Sequence, residues 1–408
     1  MKRTFFIAAL LGLAGMVLAQ SMELTSARLY KKQGEFLKSL DFYNQVLEKD
    51  PNRLEAYYER GELYEVIAAD SGKIGLAREI VGDNPDPQVV LYDRMIADFK
   101  EAVTPRTDKD EATIKKYRKK LDRILDERWD NFYFKAVHLD SAYTAAQETG
   151  MTEPDPNEYL RTAIGQLDLA IKMRPEKWNA YGLKAQMLGK TGEDEAALEN
   201  WLLARKYIES SDMKQKKSED YTQAIDVIQG NLLQGYYNQK QYLKTVELAN
   251  EILAKDAESI DALQFKAFSL VQLATSDSIS AEEQARLKQE AIISLEKAKA
   301  IRADDPTIIY YIGQFSLQLG DTAAALAAFN EYLTQDEQDR DVLFALGVIY
   351  LEGGSYVDTE RARDLFKKLT EFHPDDAAAW TNYGVALIRL GKHEEGKEAI
   401  EKGKSLSN

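Results

Sequence analysis

The sequence contains no cysteine, and only three histidines occur among its 408 residues. Disulfides, thiolate metal sites and cysteine nucleophiles are therefore excluded, and so is a lipidated N-terminal cysteine. His138, His373 and His393 stand far apart. The sequence also lacks an H-E-x-x-H pair, an EF-hand loop, a Walker loop and a G-x-S-x-G elbow. Net positive charge is missing as well: 53 Lys and Arg against 68 Asp and Glu leave −15. Such a chain repels phosphates, which argues against nucleic acid or an anionic lipid surface as its main partner. Long apolar runs are almost absent, the exception being Phe5–Leu18.

That exception has the order of an export signal. Lys2 and Arg3 precede the run, and Val17-Leu18-Ala19 supplies small residues before Gln20. The run is short for a membrane span, which needs about 20 residues. Residues 1–19 are expected to be a cleaved signal peptide of bacterial type. The mature protein would then be periplasmic or secreted, with no stable membrane insertion.

What remains is 44% hydrophobic and 30% charged, a globular composition, and it repeats. Lys32–Asn52 reads KQGEFLKSLDFYNQVLEKDPN and Pro374–Gly391 reads PDDAAAWTNYGVALIRLG. Units start at 20 and 54, 226 and 260, and 306 and 340, each pair 34 residues apart. Apolar positions 4, 7, 8 and 11 of a unit share one helix face. The eighth takes a small residue, as in Ala185, Ala267, Gly313, Gly347 and Gly384, which is expected to let two helix backbones approach closely. Glycine at position 15 suits the left-handed end of a helix. The phrase resembles the tetratricopeptide repeat, a 34-residue helix–turn–helix. Nine such units can be followed from 20 to 408.

The resemblance implies an all-α, right-handed α-solenoid (superhelix) of stacked helix pairs, elongated because each unit touches only its neighbours. The expected organisation is N-terminal repeats over 20–105, with an insertion at 70–91. Extended helices and a degenerate repeat follow over 106–175, then a C-terminal array over 176–408. Further insertions are read near 212–225 and 276–287. The segment 109–128 is an unusual basic helix: Lys115–Arg123 carries six basic residues and one acidic residue. It reads either as a patch for an acidic partner or as a solvated face offsetting acidic neighbours.

The resemblance also implies where a ligand would lie. The family's concave surface is lined by first-helix positions 2, 5, 9, 12 and 13. Mapped onto the fourth to eighth repeats, these give a candidate groove of Gln186, Gln234, Tyr237, Gln264, Phe268, Tyr310, Gln314 and Phe344. This groove would be neutral, rich in amides and aromatic. Tyr58 and Glu62 replace the Lys-and-Asn clamp that some members use for a peptide carboxylate. No catalytic residue, cofactor or metal ligand is expected. The expected function is a non-enzymatic exported scaffold that binds a protein or peptide, as in cell-envelope assembly. A glycan-binding component of polysaccharide export or uptake is the alternative. Oligomeric state and partner identity are not legible.

Overall fold

The computed structural model describes residues 22–107, 110–212 and 219–407. The expected signal peptide, the start of the basic helix at Lys109 and part of the 212–225 insertion lie outside these residues. The described residues are helical throughout, with no strand. They form two compact units, one ending at Ser210 and the other beginning at Ser211. The boundaries read at 105 and 175 both fall inside the first unit.

In the first unit, helix α1 covers 22–33. It is followed by α2 (Phe36–Lys49), α3 (Leu54–Ala68), α4 (Ile74–Val81), α5 (Pro87–Ala102), α6 (Glu111–Glu148), α7 (Asn157–Met173), α8 (Trp178–Thr191) and α9 (Asp194–Glu209). The insertion at 70–91 holds a 3-10 turn (Ser71–Lys73), α4 and the first turn of α5. The basic segment and the stretch after it form one helix, α6, which packs along α7 as the first helix of the third pair. Tyr117, Leu121, Trp129 and Ala136 bury one side of α6. Tyr117 stacks on Tyr58 of α3 at 4.5 Å, and Arg128 meets Glu65 at 2.6 Å.

The second unit runs α10 (Glu219–Asn238), α11 (Tyr242–Leu253), α12 (Ile260–Leu273), α13 (Ala281–Ile301), α14 (Pro306–Leu319) and α15 (Thr322–Tyr332). It continues with α16 (Arg340–Glu352), α17 (Thr359–Phe372), α18 (Ala377–Arg389) and α19 (His393–Leu406). Each helix packs on its chain neighbours. The extra residues near 212–225 and 276–287 partly lengthen α10 and α13 at their N-termini. The turns follow the residue types. Gly192 and Gly320 adopt φ of 82° and 77° as left-handed caps of α8 and α14. Asp305, Asp321, Asp339, Asp358 and Asp376 each accept backbone N–H bonds at a helix start, where a carboxylate also meets the positive end of the helix dipole. Part of the chain's acidity is thus used in ending loops.

The small residue at position 8 works differently from expectation in three pairs. A Cβ on Gly61, Gly313 or Gly347 would lie 2.6, 2.5 or 2.7 Å from the ring of Phe99, Phe329 or Phe366. It is an aromatic ring of the paired helix, not a backbone, that presses on these glycines. In the α18–α19 pair it is a backbone that comes close: a Cβ on Gly384 would meet the Gly396 carbonyl at 2.6 Å.

Next to the Gly61–Phe99 contact lies a buried ion pair. Arg60 donates from Nε and Nη2 to Asp98 at 2.8 and 2.7 Å, and from Nη1 to Asn44 at 2.7 Å. Asp98 is 5% exposed. Burial pushes its carboxyl up against the opposing pull of Arg60. A carboxylate with a raised folded pKa gives stability that is complete below its unfolded value and is lost as pH rises through the folded one. Replacing Arg60 by Met removes the influences that lower that pKa. We expect Arg60→Met to cost about 3–5 kcal/mol at neutral pH, with the deficit shrinking toward about pH 4 as Asp98 takes up a proton. Chemical denaturation at the two pH values checks this; an equal deficit at both contradicts it.

Candidate functional site

The expected groove residues fall in both units. Gln186 is an exposed residue of α8 in the first; the other seven belong to the second. There, first helices of successive pairs bring several of them together. Tyr237 on α10 contacts Phe268 on α12 at 6.3 Å between ring centres, and Phe268 meets Tyr311 on α14 at 4.5 Å. Tyr311 touches Tyr310 at 5.4 Å, and the Gln314 amide donates to the Tyr310 hydroxyl at 3.3 Å. Phe344 is separate from this row. It packs on Phe366 at 5.7 Å beneath the Arg340 guanidinium. Gln234 is exposed and Gln264 half-buried on the same first helices.

Three rings of the row were not among the expected residues. Phe265 contacts both Tyr237 and Phe268, Tyr311 joins α12 to α14, and Phe315 supports Phe268 from below at 6.4 Å. They stand at positions 6 and 10, outside the family's lining positions. The signal that finds them is local: 265 with 268 and 311 with 315 are aromatic pairs at helical spacing. Because the rings touch one another and the core, this row is part support and part surface. Tyr237, Phe268 and Tyr310 remain half-exposed.

The row is also less neutral than expected at one end. Burial and the carboxylates of Asp341 and Asp339 push the Tyr310 phenol up. Tyr332 donates to Asp339 at 3.2 Å, and burial together with that carboxylate pushes it up to about 12. Hydrogen-bond donors and cations of a ligand are favoured there over carboxylates. The clamp places of the second repeat are closed: Tyr58 donates to Glu62 at 2.5 Å, and Glu62 also faces Lys31 at 3.5 Å.

Each unit also holds a recess. In the first unit a recess of about 870 Å³ lies between the 70–91 segment, α6 and α7, lined by Ile74, Pro87, Gln88, Tyr92, Phe132 and Gln166 among others. In the second unit a recess of about 240 Å³ gathers Asp226, Asp256, Glu258 and Asp261 with Arg302. Burial and the charges of Asp256 and Asp261 push Asp226 up. No group of His, Asp or Glu among the described residues is placed to hold a metal ion. The His373 Nε2 lies 2.9 Å from the Gln338 carbonyl oxygen, tying two turns together.

An all-α array of helix pairs with these turns defines a helical-repeat protein. Family models described as tetratricopeptide repeat match residues 316–358 and 365–398, so the chain carries tetratricopeptide repeats over that part of its second unit. Part of the chain is similar to solved structures of MamA. One titled "Crystal structure of MamA" is 16% identical, with 44% of this chain and 94% of that chain covered and a TM-score of 0.37. MamA from Desulfovibrio magneticus RS-1 is 16% identical, with 45% and 94% covered and a TM-score of 0.38. No curated protein matches the sequence. No helix among the described residues is long and apolar enough to cross a membrane.

The division of the row into support and surface is testable. Phe268→Ala removes a ring that four other rings contact, and is expected to cost about 3–5 kcal/mol. Gln234→Ala, at an exposed place, is expected to stay within about 0.5 kcal/mol. Urea melts of the two variants decide; a mild Phe268→Ala would make that ring free surface instead.

Proposed function

We propose that the chain is an exported, non-enzymatic scaffold that holds an extended segment of a partner protein on the first-helix face of its second unit. The observation that carries this reading is the placement of amide side chains beside half-exposed rings on successive first helices: Gln234 and Tyr237 on α10, Gln264 and Phe268 on α12, Tyr310 and Gln314 on α14. An extended segment has backbone donors and acceptors that an amide can satisfy from either end. Rings with few rotors add contact area at small entropic cost. The carboxylates near Tyr310 favour a partner that is neutral or basic at that end. The order of charged, apolar and small residues over 1–19 supports export to the periplasm or beyond, where a scaffold could serve envelope assembly. Recovery of the protein outside the cytoplasm tests the export, and sequencing its N-terminus tests the cleavage: a start at or near Gln20 is expected, and an intact Met1 would contradict it.

The binding reading is tested by isolating a partner from an envelope fraction with the full chain, then measuring its affinity for a Gln234→Ala, Gln264→Ala double variant. Two hydrogen bonds at roughly 1 kcal/mol each predict a loss of about tenfold or more. An unchanged affinity in a folded variant moves the site off this face. Binding of a soluble glycan in place of a protein replaces the scaffold reading with the glycan one.

A further inference from the structure

The exposed side of α6 carries its charge in two blocks. At steps of three and four residues, Lys116, Lys119, Arg123, Glu127, Asp130 and Phe134 form one row along the helix, every member exposed. Ile114, Tyr117 and Leu121 are buried on the opposite side, so the first half of the row faces away from the unit's core. The row is basic in its first half and acidic, then aromatic, in its second. Its members are little used within the first unit. Lys116, Lys119 and Asp130 make no ion pair among the described residues, and Arg123 reaches Glu127 only at 3.8 Å, with both side chains mostly in solvent. Phe134 is 56% exposed, a large apolar side chain left in water. The other acids of this region are already committed: Asp122 and Asp126 pair with Arg174, and Asp126 also with Lys177.

Read backwards, the row is its own complement. Lys116 with Phe134, Lys119 with Asp130, and Arg123 with Glu127 share a midpoint beside Leu125. Two copies of α6 laid antiparallel about a two-fold axis at that point would set each of these pairs across the contact, twice over. The pairs are a cation on an aromatic face and two ion pairs. The contact would run for about 27 Å of helix. We propose that a second copy of this chain docks here, α6 against α6, as an isologous dimer. Charge order favours this occupant over a polyanion. Nucleic acid or an anionic bilayer would match Lys116, Lys119 and Arg123 and then be repelled by Glu127 and Asp130, whereas a second copy answers both blocks.

The test is sedimentation velocity of the full chain at roughly 0.05 M and 0.5 M salt, where screening lengths differ about threefold. The samples are wild type, a Lys119→Glu, Arg123→Glu variant, a Glu127→Lys, Asp130→Lys variant, and an equimolar mixture of the two. We expect wild type to form a concentration-dependent dimer at low salt that dissociates at high salt. Each variant alone should be monomeric, because its two blocks now repel their mates. The mixture should return to a dimer, because the exchanged charges complement each other across the axis. Circular dichroism melts near the wild-type temperature would show that both variants fold. A wild type that stays monomeric at low salt, a dimer that survives in either variant, or a mixture that stays monomeric overturns the proposal.

Discussion

The helix pairs depend on a ring held against a missing side chain. In three pairs, a phenylalanine of the second helix lies where the Cβ of a first-helix residue would be: Phe99 on Gly61, Phe329 on Gly313, Phe366 on Gly347. Each ring is buried, and each is central to the pair it closes. The chain distance between the partners is 38, 16 and 19 residues respectively, from their numbers in the sequence. The contact is the same while the connecting length more than doubles. The loop between two helices is therefore free to grow, as 70–91 has done, and such length is entropically inexpensive. A glycine in a helix interior costs roughly 1 kcal/mol relative to alanine. Here that cost is offset by a ring packed at a distance no other residue would permit.

Charge is distributed to match. At five helix starts the carboxylates of Asp305, Asp321, Asp339, Asp358 and Asp376 accept bonds from backbone N–H groups, and Asp376 also meets Arg340 from the preceding pair at 2.7 Å. Arg60 and Asp98 cross the α3–α5 contact beside the Gly61 ring contact. The chain's acidic balance is thus partly a by-product of building turns, and the exposed basic residues of α6 stand out against it. The face of the second unit inherits the same feature: beyond burial, which is the main cause, Asp341 and the cap Asp339 raise Tyr310, and Asp339 raises Tyr332.

The helix pairs were legible because the requirement is local. Position 8 must be small and position 15 must turn, and Gly313 and Gly320 do both within fifteen residues of Pro306. The identity of the group filling the space at position 8 was not legible, because it is reached across a loop of variable length. The row of rings was half legible. Tyr237, Phe268 and Tyr310 fall on lining positions of the family, but Phe265, Tyr311 and Phe315 are placed by ring-to-ring packing between neighbouring first helices. The electrostatics of Tyr310 depend on Asp339 and Asp341 of the next pair, a proximity that a position-by-position reading does not contain. The extended helices expected over 106–175 include one continuous helix, α6, over Glu111–Glu148, which joins the basic segment to the first helix of the third pair.

The central claim is that a glycine and a ring form one packing unit, and a double-mutant cycle at Gly347 and Phe366 measures it most directly. Gly347→Ala should destabilise by about 1–3 kcal/mol through overpacking, although the same change in an open helix stabilises by up to about 1 kcal/mol. Combined with Phe366→Leu, which withdraws the ring, the alanine should become neutral or favourable, so the double variant should be more stable than the sum of the singles by at least about 1 kcal/mol. Additive losses, or a Gly347→Ala that stabilises the parent chain, would contradict the account.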